Sequence, residues 1–161
     1  TIYEGTTAIQ ANDLVGRKTT RDGGQTAKAI AAQIEKTEAE LNASGTDAAK
    51  SVAKHLSEAR QAFLQVVDFM VANAKTNPNA AYAGSVPYLM LTGNLVAGWQ
   101  LGRSVLVAQA LLQKGQEAAF MQAKLATAQF YAEHILTRVP GQADAIVQGG
   151  ASVMALAMDQ F

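Results

Sequence analysis

The sequence predicts an all-α protein that forms a helical bundle, and three observations support this fold class. Alanine is abundant, and only three prolines occur in 161 residues. Apolar residues recur every three or four positions, which is the period of an amphipathic helix, whereas a half-buried strand would alternate apolar and polar residues. Stretches that contain glycine or proline then divide the chain into successive helices.

The first helix is expected to begin at Thr6 or Thr7, whose hydroxyls can cap a helix N-terminus, and to end near Val15. Gly16 follows as a stop signal. Residues 17–24 are polar and end in two glycines, so they are the best candidate for a domain boundary.

We therefore divide the chain into residues 1–24, which include a short helix of a preceding domain, and residues 25–161, which form the bundle. The second helix, predicted over 25–43, carries one stripe: Ala27, Ile30, Ile34, Thr37 and Leu41. Residues 44–47 stop it and cap a third helix, predicted over 47–75. Its apolar residues alternate in spacings of four and three, as expected of a seam inside a bundle: Val52, Leu56, Ala59, Phe63, Val66 and Met70.

Three more helices are expected in the second half of the chain. Residues 82–87 are expected to be irregular, and a fourth helix then runs to about Gln113. A fifth helix covers about 116–138 and has one face formed by Phe120, Ala123, Thr127, Phe130 and His134. Pro140-Gly141 is expected to interrupt the pattern before a last helix, which begins near Gln142 and is weakened by two glycines.

Composition and charge narrow the possible functions. Hydrophobic residues make up 49% of the chain and charged residues only 16%, against about a quarter in an average soluble protein. We therefore expect an oligomer partner, or other parts of a longer chain, to cover much of the surface. Thirteen basic and thirteen acidic residues leave a formal net charge of zero, which provides no general attraction to nucleic acid. The absence of cysteine excludes disulfides and thiolate chemistry.

Two segments invite a membrane or metal interpretation, and neither is favoured. Residues 76–102 lack charged side chains but contain polar residues, two prolines and the pair Gly98 and Gly102, so we expect a buried central helix instead of a membrane span. The two glycines would let another helix approach closely. His55 and Glu58 lie one helical turn apart, but a di-iron bundle needs several more inward carboxylates, so no metal site is predicted.

One segment has features of a catalytic or ligand-binding site. It lies at the N-terminus and reads Ile2-Tyr3-Glu4-Gly5-Thr6-Thr7-Ala8-Ile9-Gln10. Glu4 precedes a glycine and a helix start, so a ligand could approach the backbone at Gly5 closely. The free amides of residues 5–8 favour an anionic or electron-rich group. On these physical grounds alone, a simple helix cap, with Glu4 interacting with the helix dipole, is the favoured interpretation.

The string Tyr3-Glu4-Gly5-Thr6 followed by Ile9-Gln10 resembles a segment near the C-terminal end of the catalytic fold of acyl-CoA dehydrogenases. The continuation, residues 14–18, and the ending, residues 149–161, resemble longer bacterial members that carry an extra helical domain, including the methylthiopropanoyl-CoA dehydrogenase type. The sharp match covers residues 1–18.

This resemblance implies specific roles. Glu4 would be the catalytic base that removes the proton next to the thioester carbonyl, while a hydride passes to FAD and a trans-2-enoyl-CoA is formed. Gly5 would contact the acyl-CoA substrate, and Thr6, Thr7 and Ala8 would touch FAD. The family often has glutamine at the position of Ala8, so only a backbone contact carries over there.

The resemblance also implies partners and a context. The remainder of the polypeptide would lie upstream, residues 25–161 would be an appended domain, and the fragment would be inactive by itself. An electron-transfer flavoprotein would be the electron acceptor, and a homodimer in the bacterial cytoplasm is expected. The alternative is a stand-alone helical interaction module in which the N-terminal string is coincidence.

Overall fold

The computed structural model describes residues 6–160, and every regular element within them is helical. The predicted all-α class is therefore confirmed. The main helices follow one another along the chain: α1 (Thr7–Asp13), α2 (Gln25–Ala43), α3 (Asp47–Asn73), α4 (Pro78–Ala83), α5 (Ser85–Gln113), α6 (Ala118–His134), α7 (Val139–Gln148) and α8 (Gly150–Val153). Shorter helical pieces are π-helical at Leu14–Thr19 and 3-10 at Leu136–Arg138 and Met158–Gln160.

Helices α2 and α3 form a pair. The predicted bounds of α2 are confirmed, and α3 begins at Asp47 as predicted but ends at Asn73, two residues earlier than predicted. In the predicted stripe of α2, four of the five residues are buried and Ile30 is partly buried. Gly45, with φ 77°, turns the chain between them, and the Thr46 hydroxyl accepts a hydrogen bond from the Ala49 N–H at 3.3 Å to cap α3. All six residues of the predicted α3 seam are buried. Across the pair, the Arg60 guanidinium donates two hydrogen bonds, of 2.8 and 3.0 Å, to the carboxylate of Glu38.

Helix α5 packs against α2, α3, α6 and α7, and it uses two glycines to do so. A Cβ added to Gly98 would lie 2.7 Å from the Cδ2 of Leu136, and one added to Gly102 would lie 3.2 Å from the Cδ1 of Leu41. Both distances are shorter than ordinary van der Waals contact. The glycine pair therefore lets neighbouring elements approach the α5 backbone closely, as the sequence predicted.

The prediction that α5 is buried is wrong for one of its faces. Val86, Met90 and Val107 are 36%, 52% and 59% exposed. Among residues 6–160, α5 is the one helix long and apolar enough to cross a membrane, but only 28% of its most apolar stretch of 18 residues is buried in the bundle. The expectation that residues 82–87 are irregular is also wrong. An additional short helix, α4, which the Asn77 side chain caps, runs to Ala83, and α5 begins at Ser85.

Helix α6 presents its predicted aromatic face outward. Phe120 and Phe130 are 55% and 59% exposed, whereas the buried residues are Met121, Ala128 and Ala132. The two inner alanines let α6 lie close to α3 and α5.

Two predicted helix boundaries are also wrong. Gly16 does not stop the first helix, because the backbone continues through it in π-helical form to Thr19. Pro140 does not interrupt a helix, because it lies in the first turn of α7, where its missing N–H would have no intrahelical partner.

Residues 14–24 pack on the bundle. Val15 and Thr19 are buried, and the Thr19 hydroxyl shares a hydrogen bond of 2.9 Å with the hydroxyl of Tyr88 on α5. Gly24 has φ 81°, and a Cβ there would lie 2.8 Å from the Cγ1 of Val67 on α3. The polar segment before α2 is thus a packed turn, and the division into residues 1–24 and 25–161 stays a prediction.

Candidate functional site

The predicted catalytic segment is described in part. Glu4 and Gly5 lie outside the residues that the structure describes, so their predicted roles stay predictions. The next three residues, Thr6, Thr7 and Ala8, are exposed at the start of α1. The Thr6 hydroxyl accepts a hydrogen bond of 3.4 Å from the Ile9 N–H, so it caps the helix as predicted.

The segment is anchored to the bundle a few residues further on. Ala11 and Val15 have no exposed surface, and α1 lies against α5. Thr19 is held by the Tyr88 hydroxyl, and burial raises the pKa of Tyr88, so that hydroxyl stays protonated. Gly16 makes a close approach possible here, since a Cβ at this position would lie 2.9 Å from the hydroxyl oxygen of Tyr82. The start of α1 therefore has a defined position on the bundle.

A cavity of about 900 Å³ lies beside α2, α5 and α6. Its volume is within the range of about 300–1,000 Å³ that is usual for ligand pockets. Trp99, the one tryptophan of the chain, lines it and donates a hydrogen bond of 2.8 Å from Nε1 to the hydroxyl of Thr37. Phe120 supplies a second ring, and both rings carry a cation: the Arg103 guanidinium lies 5.7 Å from the Trp99 ring centre and the Lys124 ammonium 5.2 Å from that of Phe120.

The charges around this cavity are unbalanced. Lys36, Arg103 and Lys124 line it, and Glu40 is the one carboxylate among its lining residues. Within residues 6–160, none of the three cations forms an ion pair with a carboxylate. Arg103 instead donates a hydrogen bond of 3.0 Å to the side-chain oxygen of Gln100. The cavity is thus a cationic and aromatic surface in a chain of zero formal net charge.

Sequence reasoning missed this cavity. Its three cations are far apart in the sequence, and scattered basic residues are the usual composition of a solvated surface. The position of Trp99 next to the pair Gly98 and Gly102 was a signal for a groove. Glycines leave space beside the helix, and a large ring next to them can line that space. The convergence itself depends on how α2, α5 and α6 pack.

The histidine and carboxylate pairs are surface interactions. His55 Nδ1 lies 3.2 Å from a carboxylate oxygen of Glu58. Hydrogen bonds from Gln129 and Ser51 hold the pKa of the Glu133 carboxyl below its usual range. In the part of the chain that the structure describes, no group of three or more potential metal ligands occurs.

Comparison with known proteins identifies the family. The family model described as acetyl-CoA dehydrogenase C-terminal like matches residues 27–157. The chain belongs to the acyl-CoA dehydrogenase family. The matched residues correspond to a C-terminal region of these proteins.

Curated relatives agree with this assignment. A 3-methylmercaptopropionyl-CoA dehydrogenase of Ruegeria pomeroyi is 54% identical over 153 residues, which cover 95% of this chain and 26% of the relative. A broad-specificity linear acyl-CoA dehydrogenase of Mycobacterium tuberculosis is 34% identical, with 84% of this chain and 23% of the relative covered. A butyryl-CoA dehydrogenase of Syntrophomonas wolfei is 27% identical, with 99% and 26% covered. The chain spans about a quarter of the length of these relatives.

Proposed function

We propose that this chain is the C-terminal part of an FAD-dependent acyl-CoA dehydrogenase that oxidises an acyl-CoA thioester to a trans-2-enoyl-CoA. The observation that carries the proposal is the family match over residues 27–157, together with relatives that are named as acyl-CoA dehydrogenases. The resemblance of the motif around Glu4 to the family supplies the catalytic residue of this proposal. The 161 residues are not expected to catalyse the reaction by themselves.

In this proposal Glu4 is the general base. Its carboxylate takes the proton from the carbon next to the thioester carbonyl, and negative charge develops on the carbonyl oxygen. The backbone N–H of Glu4 donates a hydrogen bond to that oxygen and stabilises the charge as it forms. Gly5 lacks a side chain, so the acyl-CoA can approach the backbone next to the base. Bound FAD supplies the acceptor for the hydride that leaves the following carbon, so the substrate loses two electrons and two hydrogens.

The residues at the start of α1 fit a flavin contact. Thr6, Thr7 and Ala8 are exposed, and the amides of Thr7 and Ala8 lie in the first helical turn, where the helix supplies no acceptor. Two threonine hydroxyls and two amides are therefore available to polar atoms of the cofactor. Ala8 contributes its backbone alone.

Substitution of Glu4 by glutamine in the full-length polypeptide tests the proposal. Loss of the base is expected to lower turnover of an acyl-CoA by a factor on the order of 100 to 10,000. The flavin absorbance and the binding of acyl-CoA should be retained, because glutamine has nearly the same shape. The relative from R. pomeroyi makes 3-methylmercaptopropionyl-CoA the first substrate to assay, beside linear acyl-CoA thioesters of several lengths.

A matched control is Glu58→Gln, which removes a carboxylate from the exposed side of α3. It should leave turnover within about twofold of the unsubstituted enzyme, because surface substitutions away from special features have small effects. Full activity of Glu4→Gln, or a full-length polypeptide that purifies without flavin, would contradict the proposal.

Three further parts of the proposal concern assembly and context. An electron-transfer flavoprotein accepts the electrons, the enzyme is a homodimer, and it works in the cytoplasm. The charged fraction of 16% supports extensive coverage of the surface in the assembled protein. Sedimentation of the full-length enzyme measures its oligomeric state, and flavin reoxidation by an electron-transfer flavoprotein tests the acceptor.

A further inference from the structure

The exposed face of α5 begins as an apolar ridge. Val86, Met90, Gly93 and Ala97 follow one another at helical-turn spacing, and all four are exposed. They extend over about 17 Å of helix. No charged residue occurs between positions 76 and 102. A continuous apolar surface of this kind is a mark of an interaction site.

Gly93 in the middle of this ridge has no structural role within the described residues. Its φ is negative, so the backbone does not require glycine, and a Cβ added there would meet nothing within 4 Å. Gly98 and Gly102 on the opposite face differ, because neighbouring side chains occupy the space of their missing Cβ atoms. Glycine inside a helix weakens the helix. The open space at Gly93 leaves room for the backbone of another element to approach α5 closely.

The same face of α5 continues into the cationic and aromatic cavity. Gln100, Arg103 and Val107 are exposed on it, and all three line the cavity. Lys36 and Lys124 add positive charge from α2 and α6, without carboxylate partners among residues 6–160. A matching surface would thus be apolar at one end and acidic at the other.

The chain covers about a quarter of the relatives that it matches, so about three quarters of such a polypeptide is available to contact this face. A segment of the same polypeptide is held at high effective concentration, which favours it over an unconnected partner. Two copies of α5 are a poorer match. Antiparallel packing of two such helices across Gly93 would place each Arg103 against the apolar first turns of the other copy, where its charge would lose water without gaining a carboxylate.

We propose that a helix from the remaining part of the same polypeptide lies along the exposed face of α5. It crosses closest at Gly93, buries Val86, Met90 and Ala97, and places acidic side chains in the cavity at Arg103. This proposal rests on family membership and does not depend on the role of Glu4.

Cysteine labelling tests the apolar part of this interface. Because the 161 residues contain no cysteine, Met90→Cys introduces one thiol on the ridge. Its rate of reaction with a maleimide is measured in the 161-residue chain and, by peptide mass spectrometry, in the full-length polypeptide. We expect reaction to be about tenfold slower or more in the full-length polypeptide, since a buried thiol reacts only when the interface opens. Lys54→Cys on the exposed side of α3 is the control and should react within about twofold of the same rate in both.

Equal labelling of Met90→Cys in the two proteins would overturn the proposal. Protection that is already present in the 161-residue chain and that increases with its concentration would assign the surface to a second copy and overturn the stated occupant. Activity of Glu4→Gln is measured separately, so failure of the interface and failure of the catalytic proposal are distinguishable.

Charge reversal tests the acidic part. Arg103→Glu in the full-length polypeptide, combined with Met90→Cys, should restore fast labelling, because the new carboxylate repels the acidic end of the docked helix. Lys50→Glu on α3 serves as the control and should keep the thiol protected. The neutral variant Arg103→Gln should give an intermediate rate. Unchanged protection in both Arg103 variants would show that the partner is not acidic there.

Discussion

The same substitution at two glycines of α5, five residues apart, is expected to have opposite effects on stability. Replacement of glycine by alanine inside a helix generally stabilises it by about 1 kcal/mol. At Gly93 the added Cβ meets nothing within 4 Å, so this gain should appear in full. At Gly98 the added methyl group enters occupied space.

The cost at Gly98 follows from the surrounding atoms. The Cβ would lie 2.7, 2.8 and 3.0 Å from the Cδ2, Cδ1 and Cγ atoms of Leu136. These atoms are the two terminal methyl carbons of Leu136 and the carbon that carries both of them, so the whole end of the side chain would have to move to relieve the clash. Leu136 is 1% exposed, so its side chain is enclosed by other core residues. Overpacking of this kind costs about 1–3 kcal/mol. At the upper end of that range, and after the gain of about 1 kcal/mol in helix propensity, Gly98→Ala should destabilise the chain by about 2 kcal/mol.

The assay is thermal unfolding of the 161-residue chain, followed by circular dichroism at 222 nm. A change of 1 kcal/mol shifts the Tm of a domain of this size by about 2–4 °C. Gly98→Ala should therefore lower the Tm by about 4–8 °C, and Gly93→Ala should raise it by about 2–4 °C. The packing assigned to α5 would be refuted if both substitutions shifted the Tm in the same direction.

A double-substitution cycle isolates the contact with Leu136. Leu136→Ala alone should cost about 2–5 kcal/mol, because it leaves a cavity in the core. Combined with Gly98→Ala it should cost less than the sum of the two, because the new methyl group enters the space that the leucine leaves. Strict additivity would show that the two residues do not touch.

Two further predictions concern the polar contacts that hold α2. Removal of the Arg60 side chain, as in Arg60→Ala, leaves Glu38, which is 6% exposed, without its two hydrogen bonds, and should cost about 3 kcal/mol in urea denaturation. The comparison is Glu35→Gln, which removes the exposed ion pair to Arg60 at 3.3 Å and should cost less than about 1 kcal/mol; equal effects would contradict the difference in burial. Asp22 accepts hydrogen bonds from the Thr26 hydroxyl and from the N–H groups of Thr26 and Gly24, which lower the pKa of its carboxyl. Because the pKa is lower in the folded chain, the contribution to stability is present at neutral pH and is lost as pH falls through the folded pKa. Asp22→Asn should therefore be less stable than the unsubstituted chain at pH 7, and the difference should shrink in acid; a difference independent of pH would refute this role.

Local signals in the sequence were sufficient to predict part of the fold. The ends of α2 and the buried seam of α3 were predicted correctly because each depends on neighbouring residues: a glycine turn, a threonine cap and a regular spacing of apolar side chains. The family was also predictable, because the short string around Glu4 is distinctive. The role of Glu4 stays a prediction, since it lies outside the described residues.

Periodicity did not decide which face of a helix is buried when both faces are apolar. In α6 the aromatic stripe with Phe120 and Phe130 has the regular spacing of a core face, yet the inner face consists of Met121, Ala128 and Ala132. In α5 the uncharged sequence suggested complete burial, whereas Met90 is 52% exposed. In α6 the two inner alanines let the helix lie close to its neighbours, whereas in α5 the bundle covers one face and leaves the other uncovered.

The sequence by itself determined that this protein is a helical bundle of the acyl-CoA dehydrogenase family, because helix formation and motif identity depend on residues near one another in the chain. Only the tertiary structure decided that Lys36, Arg103 and Lys124 line one cavity together with Trp99. Only the tertiary structure also decided that the space of a Cβ atom is occupied at Gly98 and empty at Gly93. The first feature brings together residues that are tens of positions apart in the sequence. The second distinguishes two glycines that look alike in the sequence. They depend on how the helices pack, and packing is determined by the shapes of all the side chains together.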